Sequence, residues 1–251
     1  MLLLIDIGNT NITMCFYDKS VKHVSRLNTL PARDRREYAI ILEGFMLHNH
    51  ISRVKGAVVC SVVPEIIPAF VSALKDVCRI KPLIVSHKLK TGLKFRIKTR
   101  GELGADRIAN AAAAFSLYKG NLIVIDFGTA TTLCLITEKG EYMGGAIMPG
   151  IDISADVLHK KTAKLPRVSP GAPMKIPGDD TKSNILAGLV LGHAGAVERL
   201  IKEFKTALGA RVNVIATGGL AGIVLPYIKN IKKANANLTL EGLRVIYELN
   251  A

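Results

Sequence analysis

A ten-residue pattern near the start of the chain returns 120 positions later. Leu4-Ile5-Asp6-Ile7-Gly8-Asn9-Thr10-Asn11-Ile12-Thr13 has the shape of Val124-Ile125-Asp126-Phe127-Gly128-Thr129-Ala130-Thr131-Thr132-Leu133, with Asp126 answering Asp6 and Gly128 answering Gly8. In both copies an apolar strand runs into Asp-x-Gly, small polar residues follow, and a β-branched strand leaves over 12–17 or 131–136. A turn at 18–20 or 138–140 leads to a third strand, so each copy reads as a three-strand meander with Asp-x-Gly in its first turn. Solenoid repeats recur every ~20–50 residues. A single repeat at half the length of a 251-residue chain instead means two similar domains.

The remaining segments alternate between the two periodicities. Helical patterns cover 33–48, 65–77, 102–117, 151–162, 184–208 and 240–249, and apolar strand patterns cover 56–61, 82–85 and 212–216. The expected class is α/β with mixed sheets. Tyr118-Lys119-Gly120-Asn121 is the natural boundary, which puts 1–117 in an N-terminal domain and 118–251 in a C-terminal one.

Composition removes several classes. Hydrophobic residues at 49% and charged residues at 22% exclude a disordered chain, a collagen and a coiled coil. No unbroken apolar run nears the roughly 20 residues of a membrane-spanning helix. Met1-Leu2-Leu3-Leu4-Ile5 has no basic region before it and meets Asp6 at once, unlike a signal peptide, so the expected location is cytoplasmic, with no membrane partner. Cys15, Cys60, Cys78 and Cys134 are dispersed and read as reduced core thiols. His23, His87, His159 and His193 are isolated, and His48-Asn49-His50 reads as a solvated helix end. Lys plus Arg outnumber Asp plus Glu by 34 to 20, a net charge of +14, which suits either a nucleic-acid binder or an enzyme that draws in anions.

The two Asp-x-Gly turns carry the chemistry. One such turn need be nothing more than a tight corner. Two in the same strand-turn-strand context, facing each other across a cleft, would suit a nucleoside triphosphate. Glycine lets backbone N–H groups approach phosphate oxygens, and Asn9, Thr10, Asn11, Thr129 and Thr131 add neutral donors. Asp6 and Asp126 would hold Mg²⁺ or its waters, since hard cations take carboxylate oxygen. Neither G-x-x-x-x-G-K-[ST] nor G-x-G-x-x-G occurs, so any ATP site lies outside the P-loop and Rossmann designs.

Asp6-Ile7-Gly8-Asn9-Thr10-Asn11, Gly104-Ala105-Asp106-Arg107, Ile125-Asp126-Phe127-Gly128-Thr129-Ala130 and Thr217-Gly218-Gly219 stand in the order found in type III pantothenate kinases. Ser61-Val62-Val63-Pro64, Gly144-Gly145-Ala146-Ile147-Met148-Pro149-Gly150, Leu165-Pro166 and the tail 238–243 are also similar to that family, so the resemblance spans nearly the whole chain. The family belongs to the superfamily of actin, sugar kinases and heat-shock chaperone ATPases. It implies two ribonuclease-H-like domains with an ATP cleft between them.

The resemblance further implies transfer of the ATP γ-phosphoryl group to the 4′-hydroxyl of pantothenate, the start of coenzyme A synthesis. Asp6, Ile7, Gly8, Asn9, Thr10, Asn11, Ile12 and Thr13 would form the first phosphate loop, and Thr129 would contact ATP. Mg²⁺ would come with the nucleotide, beside Asp6, and Asp126 would hold a monovalent cation, potassium or ammonium. Gly104, Ala105, Asp106 and Arg107 would line the pantothenate pocket with Ile97 and Thr181, and Asp106 would be the proton acceptor. A homodimer is implied too.

The sequence departs from the family pattern in one segment. Ile97 stands where the family often has a substrate-contacting Tyr, and Arg100 where it has a Pro; Phe95 is the nearest aromatic. Lys94, Arg96, Lys98 and Arg100 alternate with other residues, so a strand here would put four cations on one face. The +14 charge and the longer basic run Lys88, Lys90, Lys94, Arg96, Lys98 and Arg100 motivate a second reading, a nucleic-acid-binding regulator on the same scaffold. Aromatics at 5%, no Trp and no recognition motif weigh against it. A sugar kinase or chaperone-like ATPase is a third reading, for which 251 residues is short.

Overall fold

The computed structural model of the chain describes every residue except Met174, Ala210, Asn230 and Lys232. The opening apolar run is strand β1 (Leu2–Ile7), with Leu3, Leu4, Ile5 and Ile7 all fully buried, as a central strand covered on both faces requires. β2 (Asn11–Asp18) pairs antiparallel with β1 from Leu2↔Tyr17 to Ile7↔Ile12, and β3 (Ser20–Asn28) completes the meander. Helix α1 (Arg35–His48) begins at Asp34, whose carboxylate accepts the Glu37 N–H while Glu37 accepts the Asp34 N–H. β4 (Gly56–Ser61) lies parallel to β1. After α2 (Ile67–Cys78), β5 (Leu83–Ile84) lies parallel to β4. The sheet order is β3-β2-β1-β4-β5. Tyr38, Leu42 and Met46 of α1 and Phe70, Ala73 and Leu74 of α2 share one core with Ile5, Ile7, Ile12 and Phe16. A two-residue strand β6 (Lys94–Phe95) and helix α3 (Ala105–Leu117) follow.

The second half repeats this plan. β7 (Asn121–Phe127), β8 (Ala130–Ile136) and β9 (Glu141–Pro149) form an antiparallel meander. Helices α4 (Ile151–Lys161) and α5 (Thr181–Leu208) lead to β10 (Val212–Thr217), parallel to β7. After α6 (Ala221–Val224), β11 (Lys233–Ala234) lies parallel to β10. Five strands of the second, six-stranded sheet, in the order β11-β10-β7-β8-β9, match the first sheet in sequence and sense. α5 has the length and mean hydropathy of a membrane span, a property that a search for unbroken apolar runs misses. Its Ala194, Val197 and Ile201 pack with Ile123, Ile125 and Leu133, as in the core helix of a folded domain.

Two compact units divide the chain: Met1–Leu117 with Asn237–Ala251, and Tyr118–Ala236. The first unit runs to Leu117 and also holds the last helix, α7 (Leu238–Asn250). α7 packs on α3, β1 and β4. Its Leu238, Leu240, Leu243, Val245 and Ile246 are buried, and Gly242 brings its backbone against that of Ala109. The alanines of α3 leave room for that approach, and Thr239 Oγ donates to the buried Asn110 Oδ1 at 2.8 Å.

Two expectations are corrected. The four cations at 94–100 share no strand face, because only Lys94 and Phe95 are extended and Arg100 opens a short 3₁₀ turn. The internal echo also slips by one residue. Ile7 pairs with Ile12 across four turn residues, but Phe127 pairs with Thr131 across three. Thr131 therefore corresponds to Ile12, and Thr129 to Thr10.

Candidate active site

Each unit puts its Asp-x-Gly turn at the carboxyl end of its central strand, where loops of open α/β sheets hold ligands. In the first unit the turn is closed by the Gly8 N–H donating to the Asn11 carbonyl at 2.9 Å. Asp6 is part-buried at the strand end, and Asn9, Thr10 and Asn11 are exposed. Ile7 and Ile12 are wholly buried, so they can offer a ligand only backbone. Thr13 is part-buried on β2, opposite Asp6.

Beside this turn, the chain leaving β4 runs through Val62, whose N–H donates to the Ile7 carbonyl at 3.1 Å. Val62 also faces Gly104: a Cβ built there would stand 3.7 Å from Val62 Cγ1 and 2.5 Å from Asp106 Oδ1. The absence of a side chain at 104 leaves the Asp106 carboxylate room to fold back over it. That carboxylate accepts the Arg107 N–H at 2.7 Å in the first turn of α3. Burial pushes its pKa above the usual carboxylate range, against the lowering pull of the Arg107 N–H and guanidinium. Asp6 to Thr13 and Gly104 to Arg107 are therefore neighbours within one unit, joined through Val62. Ala105 and Phe95 are buried and Ile97 is part-buried, so Phe95 does not stand in as an exposed aromatic wall.

In the second unit Asp126 is part-buried at the end of β7, with Gly128 and Thr129 in the turn beyond. Gly218, at φ +98°, lies directly on this end: a Cβ there would meet Asp126 Oδ1 and the Phe127 N–H nitrogen at 2.5 Å. Thr131 is not a surface donor. It is 1% exposed, and its hydroxyl pairs with His193 Nε2 on α5 at 2.9 Å. Burial pushes the His193 pKa below its ordinary value. Thr181 is the exposed first residue of α5, behind the Asp180 cap. The buried pairing of His193, and Thr29 described below, were invisible in the sequence, because contacts across long separations leave no local signal.

The donor set bears on the metal. Among the described residues no three His, Cys, Asp or Glu side chains cluster as ligands. A dedicated protein cage for a divalent ion is not built, but Mg²⁺ bound mainly by nucleotide phosphates and waters needs only one or two carboxylates. Asp6, a part-buried carboxylate at the end of β1, is of the type that can meet that need.

A sequence profile of the type III pantothenate kinases matches residues 2–203. The chain belongs to the type III pantothenate kinases. It is 40% identical to the type III pantothenate kinase of Moorella thermoacetica, over all of both chains. The fold of this type III pantothenate kinase is shared with a Campylobacter jejuni protein provisionally assigned to the Baf transcriptional activators (21% identity, 98% of each chain, TM-score 0.59). It is also shared with the polyphosphate/ATP-glucomannokinase of Arthrobacter sp. strain KM (14% identity, 99% and 97% of the chains, TM-score 0.50). At these identities the two structures speak to fold alone.

Proposed function

We propose that the chain carries out the reaction of its family, ATP-dependent phosphorylation of pantothenate at the start of coenzyme A synthesis, with Asp106 as proton acceptor. The observation that carries this is the part-buried Asp106 carboxylate at the start of α3, folded over Gly104 beside the Asp6–Thr13 hairpin. A base is most effective with its pKa near the working pH, and burial moves Asp106 that way. The 4′-hydroxyl of pantothenate gives its proton to the Asp106 carboxylate as its oxygen bonds to the γ-phosphorus. The bond from phosphorus to the β,γ-bridging oxygen breaks, and ADP leaves.

Gly104, Ala105, Arg107 and Ile97 line the acceptor pocket, with Thr181 a further contact, and the Arg107 guanidinium matches the pantothenate carboxylate. Asp6, Ile7, Gly8, Asn9, Thr10, Asn11, Ile12 and Thr13 hold the ATP phosphates, the two isoleucines through backbone alone. Asp6 would hold the Mg²⁺ of the nucleotide or its waters, and the ion would neutralise phosphate charge. Thr129 contacts ATP, and Asp126 holds a monovalent cation, potassium or ammonium. We read the enzyme as a cytoplasmic homodimer acting on small molecules, with no nucleic-acid or membrane partner.

A coupled ADP-release assay tests this, with and without pantothenate, in potassium and in sodium. Release should require pantothenate and run faster in potassium. Release without acceptor overturns the substrate, and equal rates in the two salts overturn the cation role of Asp126. Light scattering of the working enzyme should report a dimer; a fully active monomer ends that part.

A further inference from the structure

Thr29, just after β3, is 1% exposed and makes two bonds to the first turn. Its hydroxyl donates to the Gly8 carbonyl at 2.6 Å, and its N–H donates to the Thr10 carbonyl at 2.9 Å. The carbonyls on either side of Asn9 are thus both tied to one buried residue. A trans peptide points its C=O and the next N–H in opposite directions. Holding the Gly8 carbonyl towards Thr29 therefore turns the Asn9 N–H outward, on the side away from the core. The N–H-to-Thr10 bond continues the strand ladder and needs no particular side chain. The hydroxyl bond does.

The second copy shows the contrast. Gly150 occupies the matching place after β9, and its N–H donates to the Thr129 carbonyl at 3.1 Å. A side chain there has no room: a Cβ would crowd the Gly128 and Thr129 carbonyls. Of the two turns, only the first carries the side-chain brace.

We propose that Thr29 is a positioning residue for ATP: its hydroxyl sets the Gly8–Asn9 peptide so that the turn presents N–H to phosphate. This rests on the reading that the Asp6–Thr13 hairpin holds the phosphates, and the experiment separates the two. Thr29→Val keeps the shape and removes the donor; Thr29→Ser keeps the donor; Asn9→Asp adds a negative charge to the exposed turn without changing its size.

ATP dissociation constants from calorimetry, KM values for ATP and pantothenate, and unfolding midpoints are measured for all three. Losing one such bond should weaken ATP roughly three- to tenfold in Thr29→Val. Thr29→Ser should stay near wild type, the pantothenate KM should hold in both, and Asn9→Asp should weaken ATP. If Asn9→Asp weakens ATP but Thr29→Val does not, the Thr29 role is overturned while the phosphate reading stands. If Asn9→Asp leaves ATP unchanged, the phosphate reading falls and takes the proposal with it. Equal losses for ATP and pantothenate without rescue by Ser mark Thr29 as merely structural, and overturn the role. Should Thr29→Val not fold, Thr29→Cys, which keeps the volume with a feeble S–H donor, replaces it with the same expected direction.

Discussion

At the residue scale, Asp106 is held where its ionised form costs stability, because burial raises its pKa. The folded state keeps the Asp106 proton to higher pH than the unfolded chain, so ionisation above the ordinary carboxylate pKa of about 3.9 works against folding. Asp106→Asn should then lower kcat by about two to four orders of magnitude, the range for losing a general base. Its unfolding midpoint at neutral pH should not fall, since the amide oxygen can still accept the Arg107 N–H. A variant with near-normal turnover removes Asp106 from the mechanism; one that is markedly less stable removes the strain argument. His193 titrates with the opposite consequence. Its folded pKa is depressed, so the unfolded chain binds more protons below about pH 6.5. Stability present above that pH should be lost as pH falls toward the folded pKa. Denaturant titrations of wild type and His193→Gln on either side of this window should show the wild type losing more on acidification; parallel losses contradict the buried pairing with Thr131.

Among the elements, the α3–α7 pair turns on backbone proximity. Gly242 faces Ala109 with no space for a Cβ, whereas Gly188 of α5 has open space around it. Gly242→Val should cost on the order of 3 kcal/mol by forcing the helices apart, while Gly188→Ala should gain about 0.5–1 kcal/mol from helix propensity. Equilibrium unfolding of both variants is the check. A harmless Gly242→Val would mean that α7 can leave α3 at little cost. The turns of the two copies differ at this scale as well. The extra residue in the first turn gives room for exposed Asn9, Thr10 and Asn11, while the shorter second turn draws Thr131 inward to His193. The strand expected for the basic run at 94–100 did not form, because side-chain alternation alone cannot extend a chain that has only two paired residues there.

Over the whole molecule, a net charge of +14 acts on anionic substrates before any contact is made. Screening shortens this reach to roughly 10 Å at 0.1 M salt. Raising ionic strength should therefore lower kcat/KM for both ATP and pantothenate severalfold, with kcat less affected; a flat response would remove long-range attraction from the account. The duplicated architecture was legible in the residues because a strand-turn-strand pattern is local, and local patterns print themselves on sequence as period, β-branching and glycine. The same holds for the helical pattern over 33–48 and for the two Asp-x-Gly turns. The Asp106 motif was legible only as a resemblance, since spacing alone favours a helix-start Asp with a solvated Arg. Tertiary structure decided the rest: that Val62 joins the Asp106 corner to the first turn, that Thr29 braces that turn, that His193 pairs with Thr131, and that α7 belongs with the first unit. Each of these depends on atoms brought together from far apart in the chain, and contact at such separations is set by packing, which no local periodicity records.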